Sequence, residues 1–186
     1  METASDPLAI IQKVLQTAKL QLAEKRVSLL VDLPSELPAL HVEPARFARM
    51  FELLFEDEMV NLPEGSTIRF QAHTQGVAGS PVRIQFIISD DGSGIPADSL
   101  RSVFDPFTSR DAAGQQFGIN LLGVFFLAHH YGGSVRATDN DGNGVTYVLE
   151  LPVTSTPPPN VTVSSQEFVT KVLVNDALWE KLLSGV

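Results

Sequence analysis

Residues 82–96, VRIQFIISDDGSGIP, join a strand pattern to an acidic loop that contains two glycines. The apolar residues alternate along the first half of this stretch: Val82, Ile84, Phe86 and Ile88. Such alternation predicts a β-strand with one buried face. The strand stops at Asp90, and Gly92 and Gly94 allow positive φ or a close approach of the backbone to a ligand. An ordinary Asp-Gly turn has the same composition, so the surrounding sequence must decide between a turn and a binding loop.

Two helices and two strands are predicted before this stretch. Asp6 is a suitable N-cap for a helix that begins at Pro7, with apolar residues at helical spacing: Leu8, Ile11, Val14, Leu15, Ala18 and Leu22. A strand is expected from the alternation of Val27, Leu29, Val31 and Leu33. Pro44 opens a second helix that Pro63 ends, with a stripe of Phe47, Met50, Phe51, Leu54 and Leu62. The second strand contains Ile68, Phe70 and Ala72, and a loop is expected over residues 73–80.

The sequence after the acidic loop predicts further helices and a final pair of strands. A short helix is expected beyond Pro96, and a mostly apolar, buried helix over residues 119–131, closed by glycines at 132 and 133. A hairpin turn over residues 139–144 joins the last two strands. Consecutive strands favour antiparallel pairs. The predicted fold is therefore an α+β two-layer sandwich, in which a mixed, mostly antiparallel sheet has helices on one face.

The chain divides into one domain and a tail. Residues 1–153 form the predicted domain, and residues 154–163, with three consecutive prolines, form a Pro-rich extended linker. Ser164-Ser165-Gln166-Glu167 is a capping-box pattern, so residues 164–186 predict an amphipathic helix. That helix packs on its own domain, or it is a docking helix or the truncated start of a further domain.

The amino-acid composition argues against several classes of function. The formal net charge of −9 argues against a nucleic-acid-binding face, which needs clustered Lys and Arg. The absence of cysteine excludes disulfides and thiol catalysis, and it fits a reducing, cytoplasmic location. No apolar run approaches the length of a membrane span, so no membrane contact is expected for this segment.

Further motifs follow the acidic loop in a fixed order. Phe104-Asp105-Pro106-Phe107 precedes a polar stretch, residues 108–116, that suits a lid, and Gly118 opens the buried helix before Gly144-Val145-Thr146 in the last strand. This ordered set resembles the ATP-binding (HATPase_c) domain of sensor histidine kinases. Their GHKL superfamily is shared with gyrase, heat-shock chaperones and mismatch-repair ATPases. The resemblance covers residues 6–153, and its segments correspond to the family's N, G1, F and G2 boxes.

The resemblance implies ATP and Mg²⁺ as cofactors and a role for each matching residue. Asp90 would accept a hydrogen bond from the adenine amino group, and Thr146 would help to fix Asp90 and a bound water. The other nucleotide-binding positions would be Gly92, Gly94, Phe104, Phe107 and Gly118. Of these, Gly92 and Gly94 give the nucleotide room, the phenylalanines hold the lid, and Gly118 offers helix N-terminal N–H groups to phosphate. The family's magnesium-binding asparagine falls on Asp57, which would be the metal ligand and catalytic residue.

Three further positions depart from the family pattern. Leu53 stands at the acidic or amide position assigned to proton handling, Val60 replaces a basic residue, and Asn120 replaces a glycine of the phosphate loop. An alternative register with Asn61 as the metal ligand would place Pro63 inside the helix and is disfavoured. Each lost charge-assisted contact removes ~1.5–3 kcal/mol. Adenine recognition is therefore expected to be better preserved than metal and triphosphate handling.

These observations predict the ATP-binding catalytic module of a two-component sensor histidine kinase. None of the four histidines stands in a His-x-x-x-x-Pro setting. The phosphoacceptor histidine would therefore belong to a helical hairpin domain of the same parent protein or of a partner, with a response regulator as the next acceptor. The resemblance implies a homodimeric parent. Two alternatives stay open: an impaired pseudokinase module that binds nucleotide or a partner, and an anti-sigma-factor-type serine kinase.

Overall fold

The computed structural model describes residues 3–76, 82–95, 103–104 and 119–153. The helices are α1 (Pro7–Glu24), α2 (Pro44–Asn61) and α3 (Ile119–His130). The strands are β1 (Thr3–Ser5), β2 (Ser28–Asp32), β3 (Leu40–Val42), β4 (Thr67–Gln75), β5 (Arg83–Asp90), β6 (Ser134–Asp139) and β7 (Val145–Pro152). Within the described residues no helix is both long and apolar enough to cross a membrane. The predicted short helix after Pro96, the linker over 154–163 and the tail over 164–186 lie outside this part of the chain.

Five strands form one mixed sheet in the order β2-β4-β5-β7-β6. The β4–β5, β5–β7 and β6–β7 pairs are antiparallel, and β2 adds to the edge of β4 in parallel. β1 and β3 form a separate antiparallel pair. The helices cover one face of the large sheet, so the predicted two-layer α+β sandwich is confirmed.

The core lies between the helix layer and the inner face of the sheet. Phe47 and Phe51 of α2 meet Phe86 of β5 edge-on, with ring centroids 5.9 and 5.1 Å apart. Phe70 of β4 extends this cluster, 5.7 Å from Phe51. All four rings are buried. Edge-to-face packing adds to the stabilisation from burial alone, so this aromatic cluster joins α2 firmly to the two central strands.

Helices α1 and α2 begin at one end of the domain and finish at the other. β1 pairs with β3, and these two strands immediately precede the two helices. Beyond the helices, the Gly65 N–H donates to the Arg26 carbonyl at 3.0 Å. Helix α3 runs the opposite way, because Tyr131, just past its end, accepts a hydrogen bond from the Glu43 N–H at the start of α2.

Both predicted helix starts are confirmed. The Asp6 carboxylate accepts the N–H groups of Leu8 and Ala9, and Pro7 occupies the first turn. Glu43 has the same role before Pro44, where hydrogen bonds from two N–H groups lower its pKa. These caps satisfy backbone donors that a helix leaves unpaired at its start.

The strands differ from the sequence prediction, or add to it, in three places. β1 and β3 were not predicted, because three-residue strands show too little alternation to be recognised. Val31, one of the alternating apolar residues of the predicted strand, is 47% exposed because β2 is an edge strand. β4 continues to Gln75, so the loop expected from residue 73 begins later.

Candidate functional site

Asp90 ends β5 on the face of the sheet that packs against the helices. Ile84, Phe86 and Ile88 precede it on the same face, and Asp90 itself is only 8% exposed. A carboxylate at the end of an apolar row is costly to bury unless polar groups surround it. The surroundings of Asp90 therefore decide what this position can do.

Both oxygens of the Asp90 carboxylate accept backbone hydrogen bonds. Oδ1 accepts the Gly92 N–H at 2.8 Å and Oδ2 accepts the Val145 N–H at 2.9 Å. Burial raises the pKa of Asp90 and outweighs these two hydrogen bonds, which lower it, while the nearby Asp91 raises it further. Each carboxylate oxygen has a second lone pair, so the group can still accept a donor from a ligand.

The glycines around Asp90 are required by contacts within the protein. Gly144 has φ +102°, and a Cβ there would overlap the Asp90 carbonyl. A Cβ on Gly92 would lie 2.7 Å from Leu62 Cδ2, and one on Gly94 (φ +72°) would overlap the Asp139 carboxylate. The acidic loop is therefore held closely between the end of α2 and the β6–β7 hairpin.

The hairpin turn contributes two side chains that sequence reasoning missed. Asp139 accepts the Ile95 N–H at 3.1 Å and the Gly142 N–H at 2.8 Å, so it joins the acidic loop to the turn. Asn140 accepts the Thr146 hydroxyl at 2.9 Å, and its amide lies 3.5 Å from the Asp90 carbonyl. The run of Asp, Asn and Gly over residues 139–144 indicated only a hairpin. Its contact with the loop depends on the pairing of β7 with β5, which the local sequence does not reveal.

Thr146 therefore lies near Asp90 and is linked through Asn140 to the backbone carbonyl of Asp90. Its hydroxyl donates to Asn140, and Asn140 in turn approaches the carbonyl of Asp90. Thr146 pairs with Ser89 across the sheet. The structure therefore brings together Asp90, Gly92, Gly94 and Thr146.

Asp57 lies on α2. The C-terminal cap residue of this helix, Leu62, lies against Gly92 of the acidic loop. The Asp57 side chain is buried, and its Oδ2 accepts the Asn61 amide at 3.1 Å. The helix ends at Asn61 with Leu62 as its cap, and Pro63 follows outside it. Pro63 therefore lies outside the helix, where the sequence predicted that the helix would end.

The three departures from the family pattern have different surroundings. Leu53, one turn before Asp57, packs on α3, because a Cβ on Gly123 would lie 2.8 Å from Leu53 Cδ1. Val60 is 49% exposed. Asn120 is half-buried in the first turn of α3. Leu53 thus fills space between two helices, where the family places a polar side chain.

Phe104 joins an aromatic group on α3. It is half-buried, with its ring centroid 6.2 Å from that of Phe125, which in turn meets His129 edge-on at 4.8 Å. Phe107, Gly118 and the predicted lid over residues 108–116 lie outside the described residues. This contact attaches Phe104 to the helix layer.

The chemistry of these side chains fits a purine nucleotide with one divalent cation. Asp90 offers a buried acceptor to an exocyclic amine, and Asp57 offers an oxygen ligand of the kind that Mg²⁺ prefers. Among the described residues no three acidic or histidine side chains cluster to hold a metal. A single protein carboxylate is nevertheless common for Mg²⁺ sites that also use water and substrate phosphates.

Comparisons with known proteins agree with this arrangement. The profile of the family described as histidine kinase-, DNA gyrase B- and HSP90-like ATPase matches residues 46–155. The adaptive-response sensory kinase SasA of Synechococcus elongatus is 29% identical over 154 residues, which are 82% of this chain and 38% of SasA. The alginate biosynthesis sensor protein KinB of Pseudomonas aeruginosa is 30% identical over 131 residues, 69% of this chain and 21% of KinB.

Solved structures share the fold at lower sequence identity. The catalytic domain of histidine kinase ThkA has a TM-score of 0.70 at 17% identity, covering 83% of this chain and 97% of the domain. Full-length ShkA, solved in complex with AMPPNP, has a TM-score of 0.69 at 20% identity, covering 86% of this chain and 33% of ShkA. The chain spans well under half the length of the sensor kinases SasA and KinB. The profile match covers more than half of the chain, and this protein therefore belongs to the histidine kinase-, DNA gyrase B- and HSP90-like ATPase family.

Proposed function

We propose that this chain binds ATP with Mg²⁺ and acts as the ATP-binding catalytic module of a two-component sensor histidine kinase. The observation that supports this most directly is the buried Asp90 carboxylate at the end of a central strand, beside the acidic loop in which Gly92 and Gly94 pack closely against Leu62 and Asp139. The relatives support the same function, since SasA and KinB are a sensory kinase and a sensor protein. Neither of the alternatives, a pseudokinase module or an anti-sigma-type serine kinase, is favoured by these relatives.

Each site residue has a proposed task. Asp90 accepts a hydrogen bond from the adenine amino group, and its attachment to β7 through Val145 keeps it in place. Thr146 and Asn140 support the backbone at Asp90. Asp57 provides an oxygen ligand for Mg²⁺. Because polar groups held in advance of binding need no reorganisation, this network favours adenine over bases without an amino group.

The remaining positions are proposed to act on the phosphate side. Phe104 and Phe107 anchor the lid segment, and Gly118 offers N–H groups at the start of α3 to phosphate. The bound nucleotide supplies the transferable phosphoryl group. The chain's own contribution is to orient the nucleotide and to balance its charge, which are the main sources of catalysis in phosphoryl transfer.

The acceptor is proposed to be a histidine outside this chain. It would be supplied by a helical hairpin domain of a longer, homodimeric parent or of a partner, and a cytoplasmic response regulator would then receive the phosphoryl group. The chain spans 38% of SasA, which leaves room in such a relative for other domains. No His in this sequence has the phosphoacceptor setting, which supports an acceptor elsewhere.

Ligand-dependent thermal unfolding tests the nucleotide site. A ligand that binds only the folded state raises the apparent melting temperature, so ATP and ADP, each with and without Mg²⁺, should stabilise the protein. Asp90→Asn should abolish the shift, because the amide cannot present the same acceptor to adenine. Asp141→Asn is the matched control. It removes the same charge from an exposed turn residue with φ +54°, a conformation that Asn tolerates. An ATP shift that is equal in both variants would refute the assignment of Asp90.

Phosphoryl transfer needs a separate assay. Radiolabelled ATP, an added phosphoacceptor hairpin and the chain should give a labelled hairpin in a Mg²⁺-dependent reaction. Binding of ATP without any transfer to hairpins from several relatives would contradict the kinase function and leave the nucleotide site intact.

A further inference from the structure

An apolar groove runs between α1 and α2 on their exposed side, away from the nucleotide site. It has a volume of about 660 Å³. Its apolar lining comes from both helices: Ile10, Val14, Ala18, Ala45, Ala48 and Phe55. Three of these residues are alanines, which are too short to fill the space between two adjacent helices. The α1–α2 groove is thus a ready-made apolar surface, of the kind that receives an amphipathic helix.

The two sides of the α1–α2 groove differ in charge. Lys13 lies along the α1 side, and Glu52 and Glu56 lie along the α2 side. Both glutamates interact with Arg49, at 3.3 and 2.6 Å, so two acids share one arginine and the α2 side keeps a negative charge. An occupant that matches this groove has an apolar face between an acidic flank and a basic flank.

Residues 164–186 have this pattern. At 100° per residue, one stripe of about 80° contains five apolar residues, Phe168, Val172, Trp179, Leu182 and Val186, together with the polar Ser164 and Asn175. Lys171 borders the stripe on one side and Asp176 on the other. A helix can lie along the α1–α2 groove in two opposite directions. In one of them, Lys171 faces the acidic α2 side and Asp176 faces Lys13.

The last strand of the domain, β7, ends near the N-terminal ends of α1 and α2, at one end of the α1–α2 groove. Gly133 lies against the Glu150 carbonyl near the end of β7, and Tyr131 accepts a hydrogen bond from the start of α2. The last residues of β7 are therefore close to the N-terminal ends of α1 and α2. Residues 154–163 reach about 33 Å when extended, at roughly 3.3 Å per residue. That exceeds the ~27 Å length of an 18-residue helix, so the tail can reach any part of the groove.

We propose that residues 164–186 form an amphipathic helix that docks in the α1–α2 groove of the same chain. Phe168, Val172 and Trp179 insert between the two helices, and the flanking charges fix the direction. This proposal is independent of the nucleotide site, because the groove is lined by residues of α1 and α2 to which no nucleotide-binding role is assigned.

Trp179 is the only tryptophan in the sequence, so fluorescence reports its surroundings directly. In the full chain we expect blue-shifted emission and protection from acrylamide quenching. Thr17→Glu introduces a charge at an exposed groove position and should shift the emission to the red, toward that of the unfolded protein. Ala48→Glu, deeper in the groove, should have a larger effect. Ala23→Glu is the control, since residue 23 is exposed on α1 but does not line the groove, and its emission should stay unchanged.

Three results would overturn the proposal. They are a solvent-like Trp179 in the unaltered chain, a blue-shifted Trp179 that neither groove variant affects, and an emission maximum that depends on protein concentration. The last would mean that the tail enters the groove of a second copy. Circular dichroism of Thr17→Glu checks that the helices remain folded. Because residue 17 is exposed, a failure of this variant to fold is not expected.

Discussion

The Asp90 carboxylate accepts the Val145 N–H at 2.9 Å across 55 positions of the sequence. Val145 is the first residue of β7, and Asp90 is the last of β5. The side chain that we assign to base recognition therefore also closes the end of the central strand pair. Under this assignment Asp90 contributes to both nucleotide binding and stability. A substitution of Asp90 must therefore be tested for its effect on each.

Asp90→Asn should lower the free energy of unfolding by about 1–3 kcal/mol. The carboxylate accepts two backbone N–H groups, whereas an amide can accept only one and turns its own N–H groups toward the other. Urea unfolding of the two proteins without nucleotide measures the difference. Asp141→Asn should change stability by less than about 0.5 kcal/mol, because it is an exposed substitution. Equal stabilities for wild type and Asp90→Asn would mean that removal of the buried charge offsets the loss of the hydrogen bonds.

Alanine at Gly144 should be much more damaging than alanine at Gly142. Both glycines have positive φ, but a Cβ at 142 meets no atom within 4 Å, whereas one at 144 overlaps the Asp90 carbonyl. We expect a loss of about 1 kcal/mol for Gly142→Ala, from backbone strain alone, and at least about 3 kcal/mol for Gly144→Ala. Thermal or urea unfolding measures both. Similar losses in the two variants would mean that the β6–β7 hairpin can move away from Asp90.

Glu150 should contribute stability that depends on pH. Burial would raise the pKa of Glu150, but the hydrogen bonds from Gln85 and Arg136, at 2.8 and 2.9 Å, outweigh it and hold the pKa below its ordinary value. The ionised form is therefore favoured in the folded state. Its contribution is complete above the ordinary pKa of a glutamate and is lost as the pH falls through the lowered value.

Glu150→Gln tests this directly. At neutral pH the variant should be less stable by about 0.5–1.5 kcal/mol, and in acid the difference should disappear. Asp90 should behave in the opposite way, because its pKa is raised: it opposes folding increasingly as the pH rises through the interval between its ordinary and raised values. Urea unfolding across the acidic pH range shows both trends. A pH-independent difference for Glu150→Gln would refute the charge-dependent role.

Leu53→Asn should increase phosphoryl transfer if the proposed kinase function holds. It places an amide at the position where the family has a polar residue, one turn before Asp57. Proton-handling groups contribute about 10²–10⁴-fold, so a gain of roughly tenfold is a modest expectation. Leu53→Ala, which removes the same contact with Gly123 but adds no polar group, is the control. A gain that both variants share would point to looser helix packing and not to restored chemistry.

Periodicity and caps were enough to predict most of the fold. The helices at Pro7 and Pro44 follow from a capping acid, a proline in the first turn and an apolar stripe, all of which are local. The β5 strand follows from its alternation. β1, β3 and the exposed edge position of β2 were not predictable in this way, because pairing partners and edge positions depend on residues far along the chain.

The sequence by itself predicted the acidic loop from local spacing, and its resemblance to the family assigned roles to Asp90 and Asp57 and identified the departures at Leu53 and Val60, because such motifs are local in the chain. Only the tertiary structure decided that Asp139 and Asn140 support that loop, that Leu53 packs on Gly123, and that α1 and α2 leave a groove between them. These features arise where β7 pairs with β5 and where helices distant in sequence meet. Such contacts depend on how the whole chain folds, so no local pattern predicts them.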